Sequence, residues 1–273
     1  MNVEELIIYG KKYIHSDYAK MLLSTLLNIN TLELLNHLND MVDNDIVEIF
    51  KKQVMAVKEK KPIQYVIGNV DFYGNIIDIN ENVLIPRFET EQLVEKTINY
   101  IKKYFNEKID VVDIGTGSGC IAITLKQKID CNMDAVDISP LALEVAKKNI
   151  SKYNLDINLY NGNMLEPLNK KYDVIISNPP YIAYDEQIMD IVKNNEPHLA
   201  LYAEDDGLFF YKEILKNAKN YLKEKSIIAF EIGSEQGEEI KRIALTYFPN
   251  SIVKIEKDLK ENDRFIFVFI NTN

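Results

Sequence analysis

Apolar residues in the first 62 positions recur at the spacing of amphipathic helices. Val3 and Leu6 are three residues apart, and Ile46 and Phe50 are four apart. Residues three and four apart share one face of a helix, so this recurrence predicts helices with one buried side. The segment has a single glycine, and its only proline closes it. We therefore interpret residues 1–62 as a small helical domain.

The pattern changes between Gln64 and Ile85, where two β-like stretches meet around the Tyr-Gly-Asn tripeptide at 73–75. A glycine at a tight turn between two such stretches predicts a β-hairpin. We assign residues 63–86 to this hairpin, as a linker to the remainder of the chain.

From residue 87 to residue 273, short apolar runs alternate with helical stretches. The seven runs lie at 109–114, 133–138, 157–160, 172–177, 226–232, 252–256 and 264–270. Helices are predicted at 89–104, 119–128, 140–152, 207–223 and 235–246. Alternation of strands and helices is typical of a mainly parallel sheet with helices on both faces. The predicted fold class is α/β, preceded by the helical domain.

Composition limits the classes of function. The 273 residues include 32 basic and 42 acidic side chains, which gives a net charge of -10. Broad nucleic-acid binding is disfavoured, because displacing counterions requires cationic surface. With two cysteines and three histidines, we expect no disulfide framework and no metal site. The first residues are acidic where a signal peptide is basic, and no apolar run is long enough to span a membrane, so we expect a cytoplasmic protein.

The first chemical motif, Asp-Ile-Gly-Thr-Gly-Ser-Gly at 113–119, follows a predicted strand and opens a predicted helix. Glycines there allow a tight turn and a close approach of the backbone to a ligand. The spacing is GxGxG, and the absent third glycine of GxGxxG disfavours a dinucleotide. Asp137 ends the next predicted strand, where its carboxylate can accept hydrogen bonds from two ribose hydroxyls. The glycines alone fit a structural turn equally well, but Asp137 favours a nucleoside ligand.

The second motif, Asn178-Pro179-Pro180-Tyr181, directly follows the predicted strand at 172–177. Ligands of open α/β sheets bind at the carboxyl ends of strands. The side-chain oxygen of Asn178 and the carbonyl of Pro179 can accept the two hydrogens of a planar amino group, while the Tyr181 ring stacks on its face. Such dipeptides are also common in turns. The position at a strand end, after the glycine motif, favours a slot for an amino group.

These motifs resemble the class I S-adenosylmethionine-dependent amino-methyltransferases, and more closely the PrmC/HemK family of protein-glutamine methyltransferases. The matching segments lie at 64–68, 72–74, 85–91, 113–119, 178–182, 196–197, 200–201, 206–208, 231–233, 236 and 263–264. The block at 86–91, joined to a helical N-terminal domain, is the most specific of them. Departures from the usual family pattern are Phe88, Asn163 and Glu261-Asn262.

The resemblance implies a Rossmann-like sheet of seven mostly parallel strands, with S-adenosylmethionine as methyl donor and S-adenosylhomocysteine as product. The cofactor-binding residues that it implies are Gly115, Thr116, Gly117, Ser118 and Gly119 around the methionyl part, Asp137 at the ribose, Met164 at the adenine, and Asn178. The substrate amide is held by Asn178, Pro179, Pro180 and Tyr181, of which Asn178, Pro179 and Tyr181 are the catalytic residues.

The implied reaction is methylation of N5 of the GGQ-motif glutamine in peptide chain release factors, which modulates translation termination. Residues 1–62 then grip the release factor. We expect a monomer whose partner is that protein substrate, with no membrane or direct nucleic-acid partner.

Other functions remain as alternatives at this point. Adenine-N6 methylation of DNA fits the amino slot, but the net acidity and the absence of a separate basic target-recognition domain disfavour it. A glutamine of a ribosomal protein is a substrate of the same chemistry and stays open. The glycine spacing and the complete Asn-Pro-Pro-Tyr motif disfavour a nicotinamide-dependent oxidoreductase or a non-catalytic nucleotide-binding module.

The charged residues near the motifs each have two possible interpretations. Glu231 ends a predicted strand and either lines the cleft or makes an N-terminal helix contact. Arg87 and Glu89 either touch a ligand or pin the hairpin to the main domain.

Overall fold

The structure is a computed structural model that describes residues 1–272. The described α-helices are α1 (Val3–Lys11), α2 (Ser16–Leu27), α3 (Asn44–Lys58), α4 (Ile63–Ile67), α5 (Phe88–Tyr104), α6 (Cys120–Lys128), α7 (Pro140–Lys152), α8 (Asp190–Lys193), α9 (Phe209–Ala218) and α10 (Gly237–Tyr247). The described strands are β1 (Asn69–Phe72), β2 (Asn75–Asp78), β3 (Ile109–Ile114), β4 (Cys131–Asp137), β5 (Ile157–Asn161), β6 (Tyr172–Ser177), β7 (Leu222–Glu231), β8 (Ile252–Lys257) and β9 (Asp263–Ile270). Two 3-10 segments lie at Glu33–His37 and His198–Ala200.

The chain divides into two compact units. The first unit comprises residues 1–69 and 188–195, and the second comprises residues 70–187 and the chain from Glu196 onward. None of the helices in residues 1–272 is both long and apolar enough to cross a membrane.

The first unit is built from helices around an apolar core. Its fully buried side chains include Leu6, Leu22, Leu23, Leu34, Phe50 and Val54. α1 begins with a capping box, in which the Asn2 side chain accepts a hydrogen bond from the Glu5 amide at 2.8 Å and the Glu5 carboxylate accepts one from the Asn2 amide at 3.0 Å. The helices predicted within residues 1–62 are present.

One local prediction is wrong: the β-like pattern was expected from Gln64, but α4 occupies Ile63–Ile67. Pro62 precedes the helix, and Gly68 ends it with a φ of 88° and an amide that donates to the Gln64 carbonyl. Short apolar runs do not distinguish a strand from a buried helical turn, and here the flanking proline and glycine favour the turn. The hairpin itself is present as β1 and β2.

The second unit contains a seven-stranded sheet in the order β5-β4-β3-β6-β7-β9-β8. The first five strands of this order are parallel, and β9 runs antiparallel to both of its neighbours. All seven predicted strands are present, and the predicted α/β fold class is confirmed. β7 begins at Leu222, so the helix predicted at 207–223 is limited to Phe209–Ala218.

The centre of this sheet positions the candidate site. Val112 on β3 and Ile175 on β6 are fully buried, as expected for parallel strands covered on both faces. The chain order reverses at β3, because β4 pairs on one side of it and β6 on the other. Open α/β sheets bind ligands outside the strand ends at such a point.

Candidate active site

A cavity of about 190 Å³ lies at the carboxyl ends of β3, β4, β5 and β6, within the second unit. The predicted site residues that line it are Gly115, Gly117, Asp137, Met164, Asn178, Pro179 and Pro180. Thr116, Ser118, Gly119 and Tyr181 are not among its lining residues. The structure thus brings together most of the predicted site, from the carboxyl ends of four strands and the loops that follow them.

The glycine loop, residues 115–119, is fixed by contacts with buried side chains. Thr116 is buried, and its hydroxyl donates to the Asp113 carboxylate at 2.6 Å. Ser118 is also buried, and its carbonyl accepts a hydrogen bond from the Asn149 side chain at 2.9 Å. Gly119 caps α6 and packs near Ala146. These three predicted cofactor residues therefore support the loop, while Gly115 and Gly117 face the cavity.

Asp137 is fixed by two backbone amides. Its Oδ2 accepts a hydrogen bond from Gly117 at 2.8 Å, and its Oδ1 accepts one from Ser139 at 2.9 Å. Gly117 has a φ of 54°, in the left-handed region that glycine adopts without strain. Burial raises the pKa of Asp137, and the backbone hydrogen bonds oppose that shift. Each carboxylate oxygen keeps a further lone pair for a ligand in the cavity.

Asp113 lies beneath the same loop and is fully buried. Burial raises its pKa to about 7, the hydrogen bond from Thr116 opposes this shift, and the charge of Asp137 adds to it. Within residues 1–272, its Oδ1 atom has no hydrogen-bond partner. The residue does not line the cavity, so its role is in the base of the loop.

The loop that follows β6 carries the second motif. Asn178 is partly buried, and its Nδ2 donates to Thr90 Oγ1 at 3.0 Å. The Tyr181 carbonyl accepts a hydrogen bond from Gln236 Nε2 at 3.0 Å. A Cβ atom on Gly207 would lie 2.1 Å from that carbonyl oxygen, so only glycine fits there. Residues 207 and 236, noted above as part of the family resemblance, therefore hold the backbone of this loop.

Tyr181 is partly buried and packs against the core of the sheet unit. Its pKa is raised to about 12, chiefly by burial and then by the charge of Glu231. The hydroxyl is therefore neutral near pH 7. Stacking of its ring on a bound amide stays a prediction, because the residue does not line the cavity.

Arg87 and Glu196 form an ion pair next to the site. The Glu196 carboxylate is buried, contacts the Arg87 guanidinium, and accepts a hydrogen bond from the Ile85 amide at 3.1 Å. Glu89 instead faces Lys260, at 3.4 Å. Arg87 thus fixes the segment that leads into α5, which favours the second of its two interpretations.

Several residues of the site were not found from the sequence. Ile138 lines the cavity beside Asp137. The available signal was its position, since it directly follows the acidic residue at the end of a predicted strand. Asn149 is fully buried on the apolar face of α7, and it bonds both Ser118 and the backbone of Asp78. A polar residue at an apolar helical position was the available signal.

Glu231 makes a contact at the N-terminus of a helix, the second of its two interpretations, although the sequence did not identify the partner. Its Oε2 accepts a hydrogen bond from the Thr90 hydroxyl, in the first turn of α5, at 2.7 Å. Glu231 itself does not line the cavity. Nothing in the sequence alone pairs two residues so far apart along the chain.

The known proteins that are similar to this chain are methyltransferases. Residues 72–200 match the methyltransferase small domain, and residues 15–68 match the PrmC N-terminal domain. A methyltransferase from Pyrococcus furiosus has the same fold, with a TM-score of 0.55 and 18% identity, over 80% of this chain and 96% of that one. The release factor glutamine methyltransferase of Bacillus subtilis is 40% identical over 249 residues, which are 88% of this chain and 86% of the relative. That of Bacillus cereus is 38% identical over 256 residues, 91% of this chain and 90% of the relative. With such identity along most of both sequences, the chain belongs to the family of release factor glutamine methyltransferases.

Proposed function

We propose that the protein transfers the methyl group of S-adenosylmethionine to the side-chain amide nitrogen of the GGQ-motif glutamine in a peptide chain release factor. The observation that carries the proposal is that Asp137 and Asn178 line the same cavity. The Asp137 carboxylate is suited to bind a ribose, and the Asn178 side-chain amide is suited to bind the amide of a glutamine. The names of the relatives support the choice of substrate.

The cavity fits the proposed methyl donor. Asp137 offers two oxygens that can accept from ribose hydroxyls, and Met164 and Ile138 supply apolar surface for a purine. Around the Cβ positions of Gly115 and Gly117 there is open space, so a ligand can approach the backbone of the loop closely. When bound, S-adenosylmethionine supplies a methyl group activated on a sulfonium.

The residues of the second motif address the weak nucleophilicity of an amide nitrogen, whose lone pair is delocalised into its carbonyl. Asn178 Oδ1 and the Pro179 carbonyl are proposed to accept the two N–H hydrogens of the glutamine. Both acceptors push electron density toward the nitrogen and fix the direction of its lone pair. Positioning and electrostatic stabilisation of this kind contribute several kcal/mol to catalysis.

No side chain is assigned as general base. The nitrogen loses a proton only after it has gained the methyl group, when the N-methylated amide cation is strongly acidic and water suffices as acceptor. Tyr181 is not suited to the role, because a phenol with a pKa of about 12 is neutral near pH 7.

Selection of one glutamine is assigned to residues 1–62, which belong to the helical first unit. The amide slot contacts only a small and common side chain, so binding energy from remote contacts must supply the specificity. This unit exposes several large apolar side chains, among them Leu32 and Met41, which are 80% and 77% exposed. Exposed apolar side chains of this kind suit a protein partner.

The remaining parts of the proposal follow from the same reaction. We place the protein in the cytoplasm, where translation occurs, as a monomer that uses no metal and binds no nucleic acid directly. Among residues 1–272, no group of three or more histidine, cysteine, aspartate or glutamate side chains is placed to hold a metal ion.

One assay tests the proposal against its alternatives. Tritiated S-adenosylmethionine is incubated with the enzyme and, in separate reactions, with a purified release factor, ribosomal proteins and DNA. We expect label in the release factor alone, at the glutamine, located by mass spectrometry of its peptides. Label in a ribosomal protein or in adenine, with none in the release factor, would replace the proposed substrate.

A further inference from the structure

Three side chains from distant parts of the chain form a hydrogen-bonded series at the candidate site. Asn178 Nδ2 donates to Thr90 Oγ1 at 3.0 Å, and Thr90 Oγ1 donates to Glu231 Oε2 at 2.7 Å. Thr90 and Glu231 are both 2% exposed. Only Asn178 reaches the cavity. The series therefore connects a residue of the cavity wall to two buried residues behind it.

The direction of the series is set by the number of protons available. An ionised carboxylate only accepts hydrogen bonds, so the single proton of the Thr90 hydroxyl is committed to Glu231. Thr90 Oγ1 can then only accept from Asn178. The amino end of the Asn178 amide must face Thr90, and its oxygen must face away.

This direction matters because an asparagine amide has two ends of nearly equal size. Rotation by half a turn would exchange the oxygen and the amino group with little steric cost. In the flipped side chain, the amino group of Asn178 would face the amino group of the substrate glutamine, so two donors would meet. The slot would lose Asn178 Oδ1, one of its two acceptors.

We propose that Thr90 and Glu231 are positioning residues that hold Asn178 in the one orientation that presents Oδ1 to the substrate amide. The inference deepens the proposed function and rests on it. Thr90 and Glu231 touch neither reacting atom, and they act only through Asn178.

The surroundings of Glu231 bear on the protonation state that the series requires. Arg264 and Arg87 favour its charged form, while Glu89 disfavours it. Tyr181 and Tyr211 also lie within electrostatic range of it, and both have raised pKa values and are neutral near pH 7. Tyr211 donates to the Glu231 backbone carbonyl at 2.8 Å and so fixes the strand end.

Burial raises the pKa of the Glu231 carboxyl to about 7. Once protonated, that carboxyl can donate to Thr90, and Thr90 can then donate to Asn178 Oδ1. The series would run in reverse and favour the flipped amide. The turnover number is thus expected to fall as the pH drops through about 7.

The test compares full-length variants with a purified release factor as substrate. Thr90→Val removes the hydroxyl at nearly constant volume, and Thr90→Ser keeps it. Thr97→Val is the matched control, because Thr97 is a fully buried threonine on the same helix whose hydroxyl donates to the Leu93 carbonyl, at 2.7 Å. Asn178→Ala is measured in parallel. The readouts are kcat and KM for the release factor, calorimetric affinity for S-adenosylmethionine, and thermal melting.

We expect Thr90→Val to lower kcat about 10- to 100-fold, the cost of a mispositioned catalytic group. KM and cofactor affinity should change less than about threefold, since the acceptor lost from Asn178 acts mainly in the transition state. Thr90→Ser should restore most of kcat, and Thr97→Val should leave it unchanged. Glu231→Gln should lower kcat and remove its fall near pH 7, because glutamine does not titrate. If Thr90→Val does not fold, Thr90→Ala removes the same hydroxyl and is read in the same way.

The outcomes separate this inference from the proposed function. Near-normal kcat in a folded Thr90→Val, or equal losses in the valine and serine variants, would overturn the positioning role while Asn178→Ala remains inactive. Activity retained by Asn178→Ala would instead remove the amide-slot mechanism itself.

Discussion

Asp137 and Asn178 are polar side chains at the ends of two strands that flank β3, yet they are held in different ways. Asp137 accepts from backbone amides of Gly117 and Ser139, which lie 20 and 2 residues away in sequence. Asn178 bonds the Thr90 side chain, 88 residues away, and Thr90 bonds Glu231, which lies 141 residues from Thr90. One side chain is fixed by nearby main chain, and the other by remote side chains.

The difference has consequences for variation at the two places. Backbone amides are present whatever the side chains, so the support of Asp137 depends mainly on loop shape. The support of Asn178 depends on the identity of two further side chains, Thr90 and Glu231. The two residues should therefore respond differently to substitution around them.

The largest expected effect is that of replacing Asn178. Asn178→Ala should lower the single-turnover rate of methyl transfer at least about 100-fold, as loss of a preorganised polar group at a reacting centre does. Association with the release factor should change far less, because the amide acts mainly in the transition state. Rapid-quench kinetics and calorimetry on the same preparation measure both quantities. A near-normal single-turnover rate would contradict the assigned role.

Removing Asp137 should affect binding of the methyl donor. Asp137→Ala loses charge-assisted hydrogen bonds to the ribose, which are worth roughly 1.5–3 kcal/mol, or about 10- to 150-fold in Kd. It also leaves the Gly117 and Ser139 amides without their acceptor. Titration calorimetry with S-adenosylmethionine measures the change. Unchanged affinity in a folded variant would exclude Asp137 from the site.

The same contrast explains what could be predicted from the sequence. The glycine motif, Asp137 and the positions of the strands along the chain depend on short spacings and on alternation of strands and helices, which are local patterns. The partnership of Thr90 with Glu231 depends on tertiary contact between residues 141 positions apart. Asn149 is intermediate, because its helical register marks a buried face but not the two segments that it joins. α4 was missed because a five-residue segment with four apolar residues fits either a strand or a single helical turn.

The next prediction concerns substitutions in the helical unit, far in sequence from Asp137 and Asn178. Leu32→Glu combined with Met41→Glu places two charges on exposed apolar positions of the helical unit. KM for the whole release factor should rise about tenfold, a typical effect of losing one to two kcal/mol of interface contact. Activity on a short glutamine peptide should not change.

The control for this double variant is Leu259→Glu, at a position of the sheet unit that is 76% exposed. It adds a charge of the same kind at similar exposure, so it should leave both substrates unaffected. An unchanged KM in the double variant would place release-factor recognition outside these two residues.

The last prediction concerns the free energy of unfolding, and it uses one buried carboxyl from each region. Asp113 lies under the glycine loop and Glu231 behind Asn178, and burial raises both pKa values to about 7, from 3.8 and 4.5. The folded state therefore binds these protons more tightly than the unfolded chain. Their contribution to the free energy of unfolding is complete below the ordinary pKa values and is lost as the pH rises to about 7 and beyond. Each group gives a slope of at most about 1.4 kcal/mol per pH unit.

Urea denaturation between pH 5 and pH 8 measures this slope, and substitution assigns it to one region or the other. Asp113→Asn and Glu231→Gln each remove one titrating group. Each should therefore reduce the slope of the free energy of unfolding against pH by at most about 1.4 kcal/mol per pH unit. Only Glu231→Gln should also alter the pH profile of kcat, since Asp113 supports a loop whose contacts to Asp137 come from the backbone. A slope that is unchanged in both variants would mean that neither carboxyl titrates in this range. Equal effects of the two variants on kcat would mean that the loop and the hydrogen-bonded series are not independent supports.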